Sequence, residues 1–288
     1  DFYTGSEKIL EKNREYIISL SERVCSLVSP DGSDGIGYYF LDWSTNGTEA
    51  GKYGSRALLV AALKAAEQLS EYCGSKDTVK LCGAKAEILK KSEWKHCLSK
   101  QTDAVAALAG CFDKHKAAKE ILKNGAKGFS TFMSYYLLKV AAARDMSGAL
   151  SVLEEYYGAM LKLGATTFWE DFDIAWAENA SAIDEIPEEG KTDIHGDNGA
   201  FCYKGFRHSL CHGWSSAPAA FLAEEVLGIR ISEPGCKKIR IAPRLGNLEW
   251  AEGKYPTPYG TVTVSCKNLG GEIKTEWTAP PGITLITE

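Results

Sequence analysis

Three carboxylates fall within four positions in the run Gly164-Ala165-Thr166-Thr167-Phe168-Trp169-Glu170-Asp171-Phe172-Asp173, and three aromatic rings lie among them. A carboxylate can orient and deprotonate a water molecule, and an aromatic face can stack on the C–H face of a pyranose, so this mixture suits chemistry on a sugar. The competing reading, frequent for such a composition, packs Phe168 and Trp169 inside and leaves the acids solvated. A second run, Phe40-Leu41-Asp42-Trp43-Ser44-Thr45-Asn46-Gly47-Thr48, offers Trp43 as a sugar platform, against a ring that merely covers helix ends. The third, His208-Ser209-Leu210-Cys211-His212-Gly213-Trp214-Ser215, spaces two histidines four apart, which on a helix would share a face and could hold a metal. No Glu follows His208 as a zincin pattern requires, and histidines at a helix start also donate to substrate or backbone oxygens, so no metal or cofactor is expected. Gly-rich phosphate loops, a GxSxG elbow and paired CxxC spacings do not occur.

The elements that must position these runs are mostly helical. Apolar residues recur at three- and four-residue steps over the first two-thirds, predicting eight helices at about 7–28, 55–73, 77–98, 103–112, 115–124, 130–143, 146–163 and 206–227. In a series of antiparallel hairpins the connections alternate between two ends, so those at about 29–54, 99–102, 125–129 and 164–205 share one end, while the intervening ones are tight. Long loops gathered at one end mark the functional end. From about residue 236 short strands replace helices, at 238–241, 261–266, 273–278 and 283–287, separated by Pro and Gly. So short a β segment makes a poor core alone and is expected to pack on the helices.

Composition bounds the rest. With 33 Lys+Arg against 38 Asp+Glu the net charge of −5 offers no basic face for nucleic acid, and no apolar run approaches the roughly 20 residues needed to cross a bilayer. Nine cysteines, an odd number without regular spacing, read mostly as buried thiols. The compartment stays open, because the chain begins Asp1-Phe2-Tyr3 and any leader would precede it.

Taken together, the runs Phe40-Leu41-Asp42-Trp43, Gly164 to Glu170, Ser209-Leu210-Cys211-His212-Gly213-Trp214, and the stretch from Leu227-Gly228-Ile229-Arg230 through Glu233-Pro234-Gly235 to Arg240-Ile241-Ala242-Pro243 and Pro256-Thr257-Pro258-Tyr259-Gly260 resemble the bacterial α-L-rhamnosidases of glycoside hydrolase family 78. The resemblance covers nearly the whole chain. It implies a mainly α fold, a partial (α/α)6 toroid of the six-hairpin glycosidase type over residues 1–230 with N-terminal helices missing, followed by a small antiparallel β-sandwich over 231–288. It implies inverting hydrolysis of terminal α-L-rhamnosides, with Glu170 of the Thr-Thr-x-Trp-Glu motif as general base and with Trp43, His212, Asp42 and Trp169 on or beside the substrate.

The departure from the family pattern is an absence. An inverting glycosidase needs a second carboxyl roughly 6.5–9.5 Å from the base. In these enzymes it lies in a segment resembling Asp-Glu-x-x-Gly-Trp, which this sequence lacks. Eight expected helices against the twelve of a full (α/α)6 barrel lead to the same expectation: the acid and the missing helices lie outside the chain, which alone would be inactive. The expected partner is a rhamnose-terminated carbohydrate, and an open toroid would associate through exposed helix faces. The alternatives are a non-catalytic sugar-binding or structural fragment, or another (α/α)6 glycosidase.

Overall fold

The computed structural model of the chain describes residues 3–194, 196 and 208–287. Among them are eight α-helices: α1 Lys8–Cys25, α2 Glu49–Tyr72, α3 Lys76–Lys90, α4 Lys100–Ala109, α5 Lys114–Leu122, α6 Ser134–Arg144, α7 Met146–Lys162 and α8 Ala217–Phe221. Side-chain caps fix several starts: Thr48, Ser99, Asp113 and Asp145 each accept a backbone N–H from the first turn of α2, α4, α5 and α7.

Three edges differ from the sequence expectation. Helix α2 begins at Glu49 rather than near 55, because Gly51 and Gly54, which dilute the apolar pattern, serve close packing. A Cβ at Gly51 would stand 2.4 Å from the Thr45 carbonyl oxygen, and one at Gly54 2.3 Å from Leu41 Cδ2. Helix α3 stops at Lys90, where the Trp94 indole N–H (3.1 Å) and the Ser92 hydroxyl both satisfy the Leu89 carbonyl. The helix expected over 206–227 is α8 alone, extended by a wider π-type turn, Leu222–Val226, and admitted by Pro218 in its first turn. Residues 206 and 207 lie outside the described residues.

Successive helices pack as neighbours, α1 on α2 and α3, α2 on α3 and α4, α4 on α5 and α6, and α6 on α7 and α8. One buried cluster, including Leu59, Val60, Leu63, Cys82 and Leu89, joins the first three helices, and within it Cys25 and Cys82 bring their sulfurs to 3.4 Å. A larger cluster runs from Leu137, Leu138, Tyr156 and Met160 into Ile229, Ile239, Ile241, Val262 and Val264 of the strands, so the β unit rests on the helices.

The strands are β1 Ile229–Glu233, β2 Lys238–Ile241, β3 Trp250–Thr257, β4 Gly260–Leu269, β5 Glu272–Thr278 and β6 Thr284–Thr287. They form two three-stranded sheets, β1-β2-β6 and β3-β4-β5. Pairing is antiparallel except between β2 and β6, where Ile239 pairs with Leu285 in parallel, because the whole β3–β5 meander forms the crossover between them.

Candidate active site

The connections after α1, α5 and α7 meet at one end of the helical body and are stitched together by specific bonds. Asp42 caps the single 3-10 turn Trp43–Thr45, accepting the Trp43 N–H at 2.8 Å while the Thr45 hydroxyl answers the Asp42 N–H at 3.2 Å. The other carboxylate oxygen of Asp42 accepts from the Ser130 hydroxyl. The next residue, Thr131, donates its hydroxyl to the Glu170 carbonyl at 2.5 Å. Beyond Glu170, the segments 167–170 and 209–212 run side by side: Glu170 N–H donates to Ser209 O at 2.8 Å, His212 N–H donates to Phe168 O at 2.7 Å, and the Thr167 hydroxyl donates to Leu210 O.

Glu170 is held at every backbone polar group and at one carboxylate oxygen. Its carbonyl accepts both Thr131 and the Trp214 indole N–H, the latter at 2.5 Å, and its Oε2 accepts the Ser209 N–H at 3.0 Å. Oε1 has no hydrogen-bond partner among the described residues, and the side chain is partly open to solvent. Trp43 and His212 are also partly exposed. The Trp43 ring stands edge-on to Phe40 at 5.1 Å, and Phe40 stacks on Tyr38 at 6.3 Å, giving the first loop an aromatic row.

Two of the residues expected on or beside the substrate, Trp169 and Asp42, are buried. Trp169 has no exposed surface, and its ring meets Phe172 at 5.7 Å and His208 at 6.4 Å, so it anchors the loop that carries Glu170 from within. An indole gains most from full enclosure, whereas the carboxylate beside it needs water. Asp42 is 5% exposed and has both oxygens committed to the turn and to Ser130, so it braces the Trp43 loop. The His208–His212 pair is not helical: His208 is buried with Nε2 accepting the Asp171 N–H at 3.2 Å, while His212 caps a 3-10 turn. No cluster of three His, Cys, Asp or Glu suited to a metal occurs among the described residues.

Burial governs the electrostatics. It raises the Asp42 carboxyl, against the opposing bonds from Ser130 and Trp43. Burial also pushes Asp171 up to about 6, assisted by the charges of Asp42, Asp173 and Glu170 and opposed by the Phe172 N–H. The Tyr156 hydroxyl, enclosed beside these acids, is driven well above its ordinary value and donates to the Phe172 carbonyl. Sequence reasoning passed over Ser130, Thr131 and Trp214 as site residues. The first two sit just past a connection expected at the functional end, which was the available signal.

The fold is thus a series of helix hairpins that gathers acids and aromatic rings on its long loops, backed by a small β unit. Residues 228–286 match the family model of the bacterial alpha-L-rhamnosidase C-terminal domain. The whole chain shares its fold with solved α-L-rhamnosidases. Against the GH78 family rhamnosidase of Bacillus sp. GL1 the TM-score is 0.72 at 22% identity, with 100% of this chain and 31% of that chain covered. Against the Aspergillus terreus enzyme it is 0.75 at 18%, covering 99% and 35%. Against the Streptomyces avermitilis enzyme, solved with L-rhamnose, it is 0.74 at 14%, covering 99% and 28%. The chain thus spans about a third of the length of these structures. No curated protein matches it in sequence.

Proposed function

We propose that this chain is the base-bearing portion of an inverting glycosidase acting on terminal α-L-rhamnosides. The observation that carries the reading is the fixation of Glu170: backbone and Oε2 are bound by neighbouring loops, Oε1 has no partner among the described residues, and the partly exposed Trp43 and His212 belong to the same cluster of loops. A carboxylate so held can take a proton from a water molecule without first reorganising. The Trp43 ring supplies a stacking face, and His212 a donor for a sugar hydroxyl. The general acid is placed in a segment outside these residues, since no Asp-Glu-x-x-Gly-Trp run occurs among them.

The test is hydrolysis of para-nitrophenyl α-L-rhamnoside by this chain and by the polypeptide at its natural length. Turnover is expected only where the acid is present. In the active protein Glu170→Gln should lower kcat about 10²–10⁴-fold with an unchanged circular dichroism spectrum. Near-normal turnover of that variant would remove Glu170 from the role. Sugar binding by calorimetry without turnover at any length would instead favour a non-catalytic module.

A further inference from the structure

Trp214 touches both groups given chemical roles above. Its indole N–H donates to the Glu170 carbonyl at 2.5 Å. Its backbone N–H donates to His212 Nδ1 at 3.4 Å, and its ring lies 4.3 Å from the His212 ring, inclined at 35°. The indole also meets Phe132 at 5.1 Å, in the same connection as Thr131, the second donor to the Glu170 carbonyl. The chain turns at Gly213–Ser215 in a single 3-10 turn capped by His212, and the Ser215 hydroxyl closes on the Trp169 carbonyl. The tryptophan is therefore held by His212, Phe132 and the Glu170 carbonyl together.

We propose that Trp214 is a positioning residue that couples the catalytic base to its substrate donor: its indole N–H sets the place of Glu170, its ring sets the ring plane of His212, and its backbone N–H sets the His212 tautomer. This rests on the reading of Glu170 as base. A neutral imidazole whose Nδ1 accepts a hydrogen bond carries its proton on Nε2, so the Trp214 N–H leaves Nε2–H as the donor offered to a sugar hydroxyl. The indole N–H acts on the base through its peptide carbonyl, which also receives Thr131. Loss of either donor frees the peptide unit that aims the carboxylate, and a displacement of the order of 1 Å costs about a hundredfold in rate.

The experiment is a double-mutant cycle in the polypeptide at its natural length, with para-nitrophenyl α-L-rhamnoside as substrate. Trp214→Phe keeps a ring against His212 and Phe132 but deletes the indole N–H. Its kcat should fall about 10–100-fold with KM changed by less than about threefold. In a Glu170→Gln background the same change should cost nothing further, because the group it positions is already gone. Thr131→Val removes the other donor and should reproduce the kcat loss, which keeps the test decisive if Trp214→Phe folds poorly. In the 288-residue chain itself, the Trp214 indole proton should appear downfield and protected from exchange by NMR. Wild-type kcat in both single variants, equal losses with Glu170 intact and in the Glu170→Gln background, or a freely exchanging indole proton each overturns the proposal. A fully active Glu170→Gln enzyme, or a wild type without turnover, instead brings down the reading of the base and leaves the NMR result to decide whether the anchor exists.

Discussion

Glu170 and Asp171 are consecutive carboxylates held by different partners. Both are partly exposed, but the Glu170 carboxylate accepts the Ser209 N–H and that of Asp171 accepts the Phe172 N–H, and burial lifts the Asp171 carboxyl from an ordinary 3.8 to about 6. Between those two values the folded chain binds more protons than the unfolded one, so the contribution of Asp171 to stability falls as pH rises through this window and the full penalty applies above about 6. Asp171→Asn keeps an amide oxygen for the Phe172 N–H and deletes the charge. Its melting temperature relative to wild type should therefore climb between about pH 4 and about pH 6.5 and then level off. A difference that stays constant across pH would show that Asp171 does not titrate in this range. The sequence announced these two acids and their aromatic neighbours, but not how Glu170 would be held. That hold is made by Ser209 and Thr131, each 39 residues from Glu170, which no local pattern encodes.

Helices were legible because their periodicity is strong, and their edges failed where glycine and proline had tertiary reasons to be present. Gly51 and Gly54 read as helix-weakening, yet they let α2 lie directly on Leu41 and Thr45 and so seat the Trp43 loop. Strands β1 and β3 were missed for related reasons. β1 follows a run that reads as continuous helix, and β3 carries Gly253 and Pro256 with polar residues outward, so its identity comes from pairing with β4. Between α8 and β1 the chain reverses at Gly228, with φ at +68° and a Cβ position only 2.0 Å from the Ala242 carbonyl oxygen. Neither the backbone angle nor that approach tolerates a side chain. Gly228→Ala should lower stability by about 2 kcal/mol or more. Gly190→Ala, also at positive φ (+84°) but facing open space, should cost about 1 kcal/mol. Chemical denaturation of the two variants compares them, and equal losses would mean that the Ala242 contact exerts no constraint.

At the scale of the molecule, the division at 230/231 drawn from the sequence is best proposed as a change of architecture rather than a boundary of folding. Arg244, past β2, donates its guanidinium to the Ala142 carbonyl of α6 and lies 3.7 Å from the buried Glu225, which also holds Arg230 at 2.7 Å. A Cβ at Gly246 would press on Met146 and Leu150 of α7 at 3.0 and 3.1 Å, and Tyr3 at the start of the chain donates to the Pro256 carbonyl at 2.5 Å. The helical and β regions thus share one apolar core and clasp each other at both flanks, and a segment of about 60 residues is marginal as a fold of its own. Thermal unfolding of the 288-residue chain should accordingly be a single transition. Far-ultraviolet circular dichroism, dominated by the helices, and fluorescence of Trp250 and Trp277 in the strands, read in a variant with the other tryptophans replaced by Phe, should share one midpoint. The isolated segment 229–288 should give the collapsed amide dispersion of an unfolded chain by NMR. Two separated transitions, or a dispersed spectrum from the isolated strands, would make the β unit an independent domain. The core that now holds the α7 end of the Glu170 loop would then be supplied by the helices alone.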